Sequence, residues 1–398
     1  MLLFRRRNRA FYLVFIPYLV VKNAVRHKLR TLLTVVGIVV AITAFGLLRT
    51  IVDAWYAGAE ATSSARLITR NAISLVFSMP LNYAQKIRQV PGVSAVTWAN
   101  WFGGVYITER NFFPQFAIDA ATYLDMYPEF VLKPEERKAF AVDRAGAIAG
   151  RKLAEQHCWK LGDQIPLRGT IYPGTWTFTL RAIYDGVDAK TDETQFLFHW
   201  HYLNETIKSR FPRWRDQTGV YIVEIRDPGQ AAEVSQAIDA TFKNSLGETL
   251  TETEKAFQLG FVAMTEAILL AIEAVSFVVI VIIMAVMANT MAMTARERYA
   301  EYATLKALGF SNGFVALLIF AESIAIASAG GLLGIALTFP LADAFGGAMG
   351  ALFPVFLVSR ETLLLQIGAA LIVGVVAAAV PAWRAANVRI VDGLRAVG

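Results

Sequence analysis

The chain of 398 residues has one cysteine, Cys158, only four histidines, and no G-x-x-x-x-G-K-[ST] segment. A lone thiol cannot close an internal disulfide, so any exported part must be held by its own apolar core, which requires a sizeable domain. Without the glycine-rich phosphate loop there is no backbone cradle for ATP, and the chain is not expected to bind it. Charge is also scarce. Charged residues make up 18% of the chain against 56% hydrophobic, too apolar for an ordinary soluble enzyme and suggestive of membrane embedding. A net charge of +6 would suit a nucleic-acid binder. Yet the densest basic cluster, Arg5, Arg6, Arg7 and Arg9 with Lys22, Arg26, Lys28 and Arg30, lies just ahead of a membrane-length apolar run. That placement favours a membrane anchor, with lipids rather than nucleic acid as the partner.

Four apolar runs can cross a bilayer. Residues 31–48 carry no charge and, at about 1.5 Å per residue, cover roughly 27 Å. The others are about 274–295, most of 307–342 with Glu322 inside it, and 362–383. A signal peptide could also begin with RRRNR and an apolar segment, but Pro17 interrupts the run and KNAVRHKLR stands where a cleavage site belongs. Residues 11–29 read instead as a helix along the cytoplasmic interface, with Lys22, Arg26 and Arg30 on its wet face. Lysine and arginine are dense at the N-terminal flank, after the second run (Arg296, Arg298, Lys306) and in the tail (Arg384, Arg389, Arg395), whereas the loop between the third and fourth runs has only Arg360. Both termini and the short loop after the second run are therefore expected in the cytoplasm, and the large insert outside a bacterial plasma membrane.

The insert reads as a folded α+β domain in two parts. TWTFTLRAIYDG and GVYIVEIRDPG alternate with the period of half-buried strands, and AAEVSQAIDATFKNSL has the spacing of an amphipathic helix. GETLTETEKAFQLGFVAMTEAILLAIE lacks proline and leads straight into the second run, so a helix over 252–295 is expected to extend as a stalk. The resulting fold class is a four-helix membrane protein with a large extracytoplasmic α+β domain between its first and second transmembrane helices. The expected order is a basic N-terminus and interfacial helix (1–30), first span (31–55), outer domain with stalk segments (56–255), and stalk with second span (256–295). A cytoplasmic coupling helix (296–309), third span (310–343), outer loop (344–361), fourth span (362–383) and cytoplasmic tail (384–398) complete it.

The stretch TARERYAEYATLKAL has no glycine or proline, is rich in helix formers, and is closed by Gly309, so it reads as a short helix with a glycine cap. Arg298 and Glu301 are one turn apart and can pair, while Tyr302, Leu305 and Leu308 form an apolar edge that wants a partner. A short helix joined rigidly to two spans is suited to carry motion from a soluble protein into the membrane.

NTMAMTARERYAEYATLKALGFS resembles the loop of the MacB and FtsX type of ABC-transporter permease, where R-E-R-x-x-E-x-x-x-L-x-A-L-G follows the second span. KNAVRHKLRTLLTVVGIVVA resembles that family's N-terminal helix and first span, and Glu322 with Gly330, Gly331 and Gly334 matches its third-span pattern. PAWRAANVRIVDGLR resembles its C-terminal motif, with Ile390 for the usual proline and Asp392 for glutamate. VPGVSAV and GAIAGRKLAEQHCWKLGDQIPL resemble its outer-domain landmarks. The resemblance implies a permease subunit without enzymatic activity, served by a separate ATPase that carries ATP-Mg and docks on Arg296, Glu297, Arg298, Glu301, Tyr302, Leu305, Lys306, Leu308 and Gly309. It further implies a second copy of the chain or a similar permease, and a periplasmic adaptor among the partners. The work would be export or mechanotransmission on an extracytoplasmic substrate such as a drug, peptide, lipid or lipoprotein. Switching of a cell-wall hydrolase, as an FtsX-like protein, is the alternative, and a membrane-anchored enzyme is a third class that no catalytic constellation supports.

Among single residues, Glu322 at span depth requires a partner, a proton or water, and serves either packing or transport. Gly330, Gly331 and Gly334 permit close helix approach. Glu266 and Glu273 share a helix face and suggest a stalk or headgroup contact. HWHYLNE would put His199 and His201 on one side of a strand with Glu205 nearby, but no second ligand cluster accompanies them, so no metal site is expected. Cys158 beside His157 lacks a base and orienter and reads as an ordinary buried thiol.

Overall fold

The computed structural model describes Leu19, Lys22 and residues 26–60, 62–348, 353 and 355–388. Most of the expected interfacial helix, the basic cluster Arg5–Arg9, and Arg389, Ile390, Asp392 and Arg395 of the tail lie outside the described residues. The described residues fall into two compact units, one drawn from 1–53, 267–347 and 356–398, the other from 54–266 and 348–355.

The first unit is built on four helices long and apolar enough to cross a membrane: Lys28–Glu60, Glu266–Glu297, Asn312–Ala348 and Arg360–Ala386. Their common core joins Ile38 and Ile42 of the first, Ile283 and Met287 of the second, Val315 and Ile319 of the third, and Val373 and Ala377 of the fourth. Small residues bring the backbones together. A Cβ added to Gly330 would lie 2.7 Å from Ile38 Cβ, one added to Gly331 2.6 Å from Ala370 Cβ, and one added to Gly334 3.0 Å from both Ile42 Cβ and Val39 O. The third helix thus lies hard against the first through Gly330 and Gly334, and against the fourth through Gly331.

The helix expected over 252–295 is two helices. Thr249–Thr253 is a strand, Glu254–Ala263 is a short helix whose Thr253 hydroxyl caps Ala256 N, and the spanning helix starts afresh at Glu266. The break at Met264–Thr265 involves neither glycine nor proline; Thr265 Oγ1 turns back to donate to Val262 O at 2.9 Å, a local bond that competes with helix continuation.

The second unit is a mixed α+β domain around one large sheet. Its strand order is Thr249–Thr253, Arg66–Asn71, Val220–Ile225, Val93–Trp101, Gln115–Ile118, Phe196–His199, Gly146–Gly150, Gly174–Gly186, Gln164–Gly169 and Gly104–Val105, with Phe130–Val131 pairing separately onto Gly174–Gly186. Two neighbouring pairs, Phe196–His199 with Gln115–Ile118 and Gly146–Gly150 with Gly174–Gly186, are parallel. Period-two alternation divides each strand between the two faces. Phe196 and Phe198 enter a core with Trp176 and Phe178, whereas Leu197 between them joins Tyr184, Ile148 and Ile222 on the other face. A third core, of Leu67, Val96, Tyr221 and Val223, is covered by the helix Ala231–Thr241 through Val234 and Ile238, and Trp98 packs on both it and the Phe178 core.

HWHYLNE is not a continuous strand. His199 ends its strand, and the helix Trp200–Arg210 carries His201 and Glu205. The His199 ring is buried, stacked on Phe140 and bonded through Nε2 to Phe140 O at 2.7 Å. No cluster of metal-ligating side chains occurs among the described residues. Cys158 is exposed rather than buried, because it sits in a turn at φ 55° that directs it away from the core.

Candidate functional site

The charged stretch of the sequence forms one end of the helical unit. The second spanning helix runs through Arg296 to Glu297, Arg298 interrupts it, and a separate helix spans Tyr299–Ala307. Leu308 caps that helix, and Gly309 follows at φ 92°, a left-handed conformation that an L side chain rarely adopts.

Arg298 is the hub. Its side chain is 7% exposed; Nη1 donates to Glu322 Oε2 at 2.7 Å and Nε to Glu301 Oε2 at 3.1 Å, with the guanidinium 5.2 Å from the Tyr302 ring centroid. Glu322, 3% exposed within the third spanning helix, therefore has its counter-charge on the loop. Taking two charges out of water is costly, and the pair persists only because its geometry is close and the guanidinium has a second carboxylate. Burial works against the Arg298 charge, but Tyr302, Glu322 and Glu301 outweigh it and hold its pKa above the ordinary arginine value. Burial, the largest influence on Glu301, opposes ionisation, yet hydrogen bonds from Arg26 and Arg298 hold that carboxyl below its ordinary value.

Further bonds tie the same loop to the remaining helices. Arg30 holds Glu297 through two bonds of 2.8 Å, a bidentate fork, and Arg26 donates to Glu301. Lys306 Nζ donates to Ala386 O at 2.8 Å and Val388 O at 2.7 Å, closing the C-terminal end of the fourth spanning helix.

This geometry changes the reading of the apolar edge. Tyr302 is 1% exposed and belongs to the core of the bundle, and Leu305 packs against that core. Burial pushes the Tyr302 hydroxyl above the ordinary tyrosine pKa. Tyr302 and Leu305 lie on the side of the helix that packs on the bundle core, so their edge meets the other helices. Leu308, at the same spacing, falls beyond the helix and is 73% exposed. The outward surface consists of Arg296, Thr304, Ala307, Leu308 and Gly309, while Glu297 is exposed but engaged by Arg30.

The opposite end of the bundle holds a second polar group. Arg49 Nη1 donates to Glu273 at 2.7 Å, and Asp53 Oδ2 accepts from Ser359 Oγ at 2.6 Å and Thr362 Oγ1 at 2.7 Å. Between the two ends, Gln366 Nε2 donates to Ile42 O and Thr338 Oγ1, both at 2.9 Å. Sequence reasoning singled out Glu273 but not Arg49, Asp53 or Gln366, whose partners lie on helices far away in the chain.

Comparison with known families is consistent with this division. The MacB-like periplasmic core domain matches residues 31–241, and the FtsX-like permease C-terminal domain matches residues 273–390. No curated protein matches the chain in sequence. Among solved structures, the extracellular domain of the noncanonic ABC-type transporter YknZ from Gram-positive bacteria aligns over 47% of this chain and 100% of its own, at 11% identity and TM-score 0.35. The periplasmic region of MacB from Actinobacillus actinomycetemcomitans aligns over 50% of this chain and 92% of its own, at 9% identity and TM-score 0.36.

Proposed function

The chain belongs to the ABC-transporter permeases that join a MacB-like periplasmic core domain to an FtsX-like permease domain, and from that premise we propose that it works with a separate ATPase seated on residues 304–309. The observation that carries this reading is the two-sidedness of the 299–307 helix: Arg298 and Tyr302 bolt its inner side to the bundle, and Leu308 at its end is left 73% exposed. An exposed leucine between Ala307 and Gly309 is a small apolar anchor of the kind a soluble partner covers.

A displacement of this helix has defined routes into the membrane. The Arg298–Glu322 pair passes it to the third helix, Arg26, just ahead of the first helix, receives it through Glu301, and Lys306 passes it to the fourth. Four spans are few to enclose a transport path, so the working unit is a dimer with two ATPases. ATP-driven closure of the ATPases then moves the extracytoplasmic domains, which act on a substrate outside the cytoplasm, and no substrate passage through the four-helix bundle is required. The test is purification of the native complex from membranes with a mass measurement of the intact assembly. Two permeases with two ATPases are expected; one permease with one ATPase would overturn the stoichiometry.

A further inference from the structure

The outer unit contains a cavity of about 660 Å³ whose walls differ in kind. Small-molecule sites span roughly 300–1,000 Å³, so the space suits a ligand of that class. One wall is apolar: Trp55, Phe261, Val262, Phe353 and Val355, with Trp55 and Phe353 in edge-to-face contact at 5.3 Å between centroids. These residues come from the end of the first spanning helix and from the segments just ahead of the second and fourth.

The other wall is ionic and carries surplus negative charge. Arg66, whose side chain is 6% exposed, serves two carboxylates at once: Nε donates to Glu254 Oε2 at 2.7 Å, Nη1 to Glu129 Oε2 at 3.1 Å, and Nη2 to Glu129 Oε1. Tyr127 adds a hydrogen bond to Glu254 Oε1 at 3.1 Å, and Arg66 also donates to Met126 O. The Glu254 side chain is 8% exposed and that of Glu129 23%, so one guanidinium faces two sequestered carboxylates. Lys190, Asp188 and Asp192 line the same space, giving two cationic and four anionic side chains in all. Asp188 and Lys190 stand at the exposed rim, so the sequestered imbalance is the one guanidinium of Arg66 against the carboxylates of Glu129 and Glu254, which is costly unless a further cation neutralises it.

We propose that this cavity binds an amphiphile with a cationic head, its ammonium or guanidinium group against Glu129 and Glu254 and its apolar body along Trp55, Phe261 and Phe353. The acidic surplus selects the sign of the head, and the aromatic wall selects an aliphatic or ring-bearing body. The site belongs to the outer unit alone, so it does not depend on the ATPase-docking proposal.

The test uses the full chain in lipid nanodiscs and a photoreactive dodecylamine with a diazirine on its alkyl chain, beside the same chain ending in sulfate. The amine probe is expected to label peptides covering 54–66 and 254–262, with labelling that saturates and is displaced by plain dodecylamine. Glu129→Gln, which leaves Arg66 an acceptor but removes one carboxylate charge beside it, is expected to weaken displacement by about tenfold. Phe261→Ala, at a half-exposed position, should weaken it as well without altering thermal unfolding. Equal labelling by amine and sulfate, labelling confined to the lipid-facing part of residues 270–293, or unchanged affinity in both variants would overturn the proposal.

Discussion

Arg298, at the turn after the second spanning helix, donates to Glu322 in the interior of the third at 2.7 Å, and each is the other's principal counter-charge. Breaking such a pair from one side leaves a charge stranded, whereas removing both need not. Arg298→Met or Glu322→Leu alone is expected to destabilise the folded chain by about 3–5 kcal/mol, and the double variant by clearly less than the sum. Thermal unfolding in detergent, run as a double-mutant cycle, measures the coupling. Additive losses would mean that the two charges act independently.

Helix approach at Gly330 and Gly334 leaves no room for a side chain. Gly330→Val is expected to force the first and third helices apart at a cost of about 1–3 kcal/mol or more, as in other overpacked sites. Gly347, which meets nothing within 4 Å, serves as the control for a glycine change in the same helix. Equal melting temperatures for the Gly330→Val and Gly347→Ala variants would contradict the packing.

A pH dependence follows from Glu301. Its carboxyl lies below the ordinary 4.5 in the folded chain, because hydrogen bonds from Arg26 and Arg298 outweigh the opposing effect of burial. The unfolded chain therefore takes up this proton first on acidification, so the contribution to stability is complete above the ordinary value and is lost as pH falls through the lower folded one. Melting temperature should hold steady near neutrality and drop in acid, and Glu301→Gln should remove part of that drop. An identical acid profile for the variant would show that the Arg26 and Arg298 bonds contribute nothing.

The exposed native thiol offers a direct test of topology. Cys158 is the only cysteine in the chain and is exposed in the outer unit. An impermeant thiol reagent should label it in intact spheroplasts, and Cys158→Ala should abolish the signal. Labelling only after lysis would place this unit inside the cell and reverse the orientation drawn from lysine and arginine.

Much of this fold is legible in sequence where one local property decides. Residues 31–48 are charge-free over a bilayer's thickness, and the alternation of TWTFTLRAIYDG marks Trp176, Phe178, Leu180, Ala182 and Tyr184 as buried, the first three in one core and the last two in the core on the other face. The site was less legible because its meaning lies in long-range partners. Glu322 needs a counter-charge, but nothing nearby in sequence identifies Arg298, which lies 24 residues earlier, beyond the start of the third spanning helix. Tyr302, Leu305 and Leu308 share a spacing, yet the helix ends before Leu308, so identical periodicity yields one buried residue, one half-buried and one exposed. The Met264–Thr265 break and the switch from strand to helix at Trp200 likewise occur without glycine or proline to mark them.

In the proposed arrangement the exposed end of the 299–307 helix receives the ATPase while its other side is fixed to the bundle. The most direct measurement is the ATPase-to-permease ratio in complexes purified through the permease, for Leu308→Asp beside Tyr302→Asp. Leu308→Asp should leave expression, melting temperature and the permease dimer unchanged and strip the ATPase, because a charge would be buried at the docking surface. Tyr302→Asp should instead unfold the bundle. A Leu308→Asp permease that retains its full complement of ATPase, with normal stimulation of hydrolysis, would contradict the account.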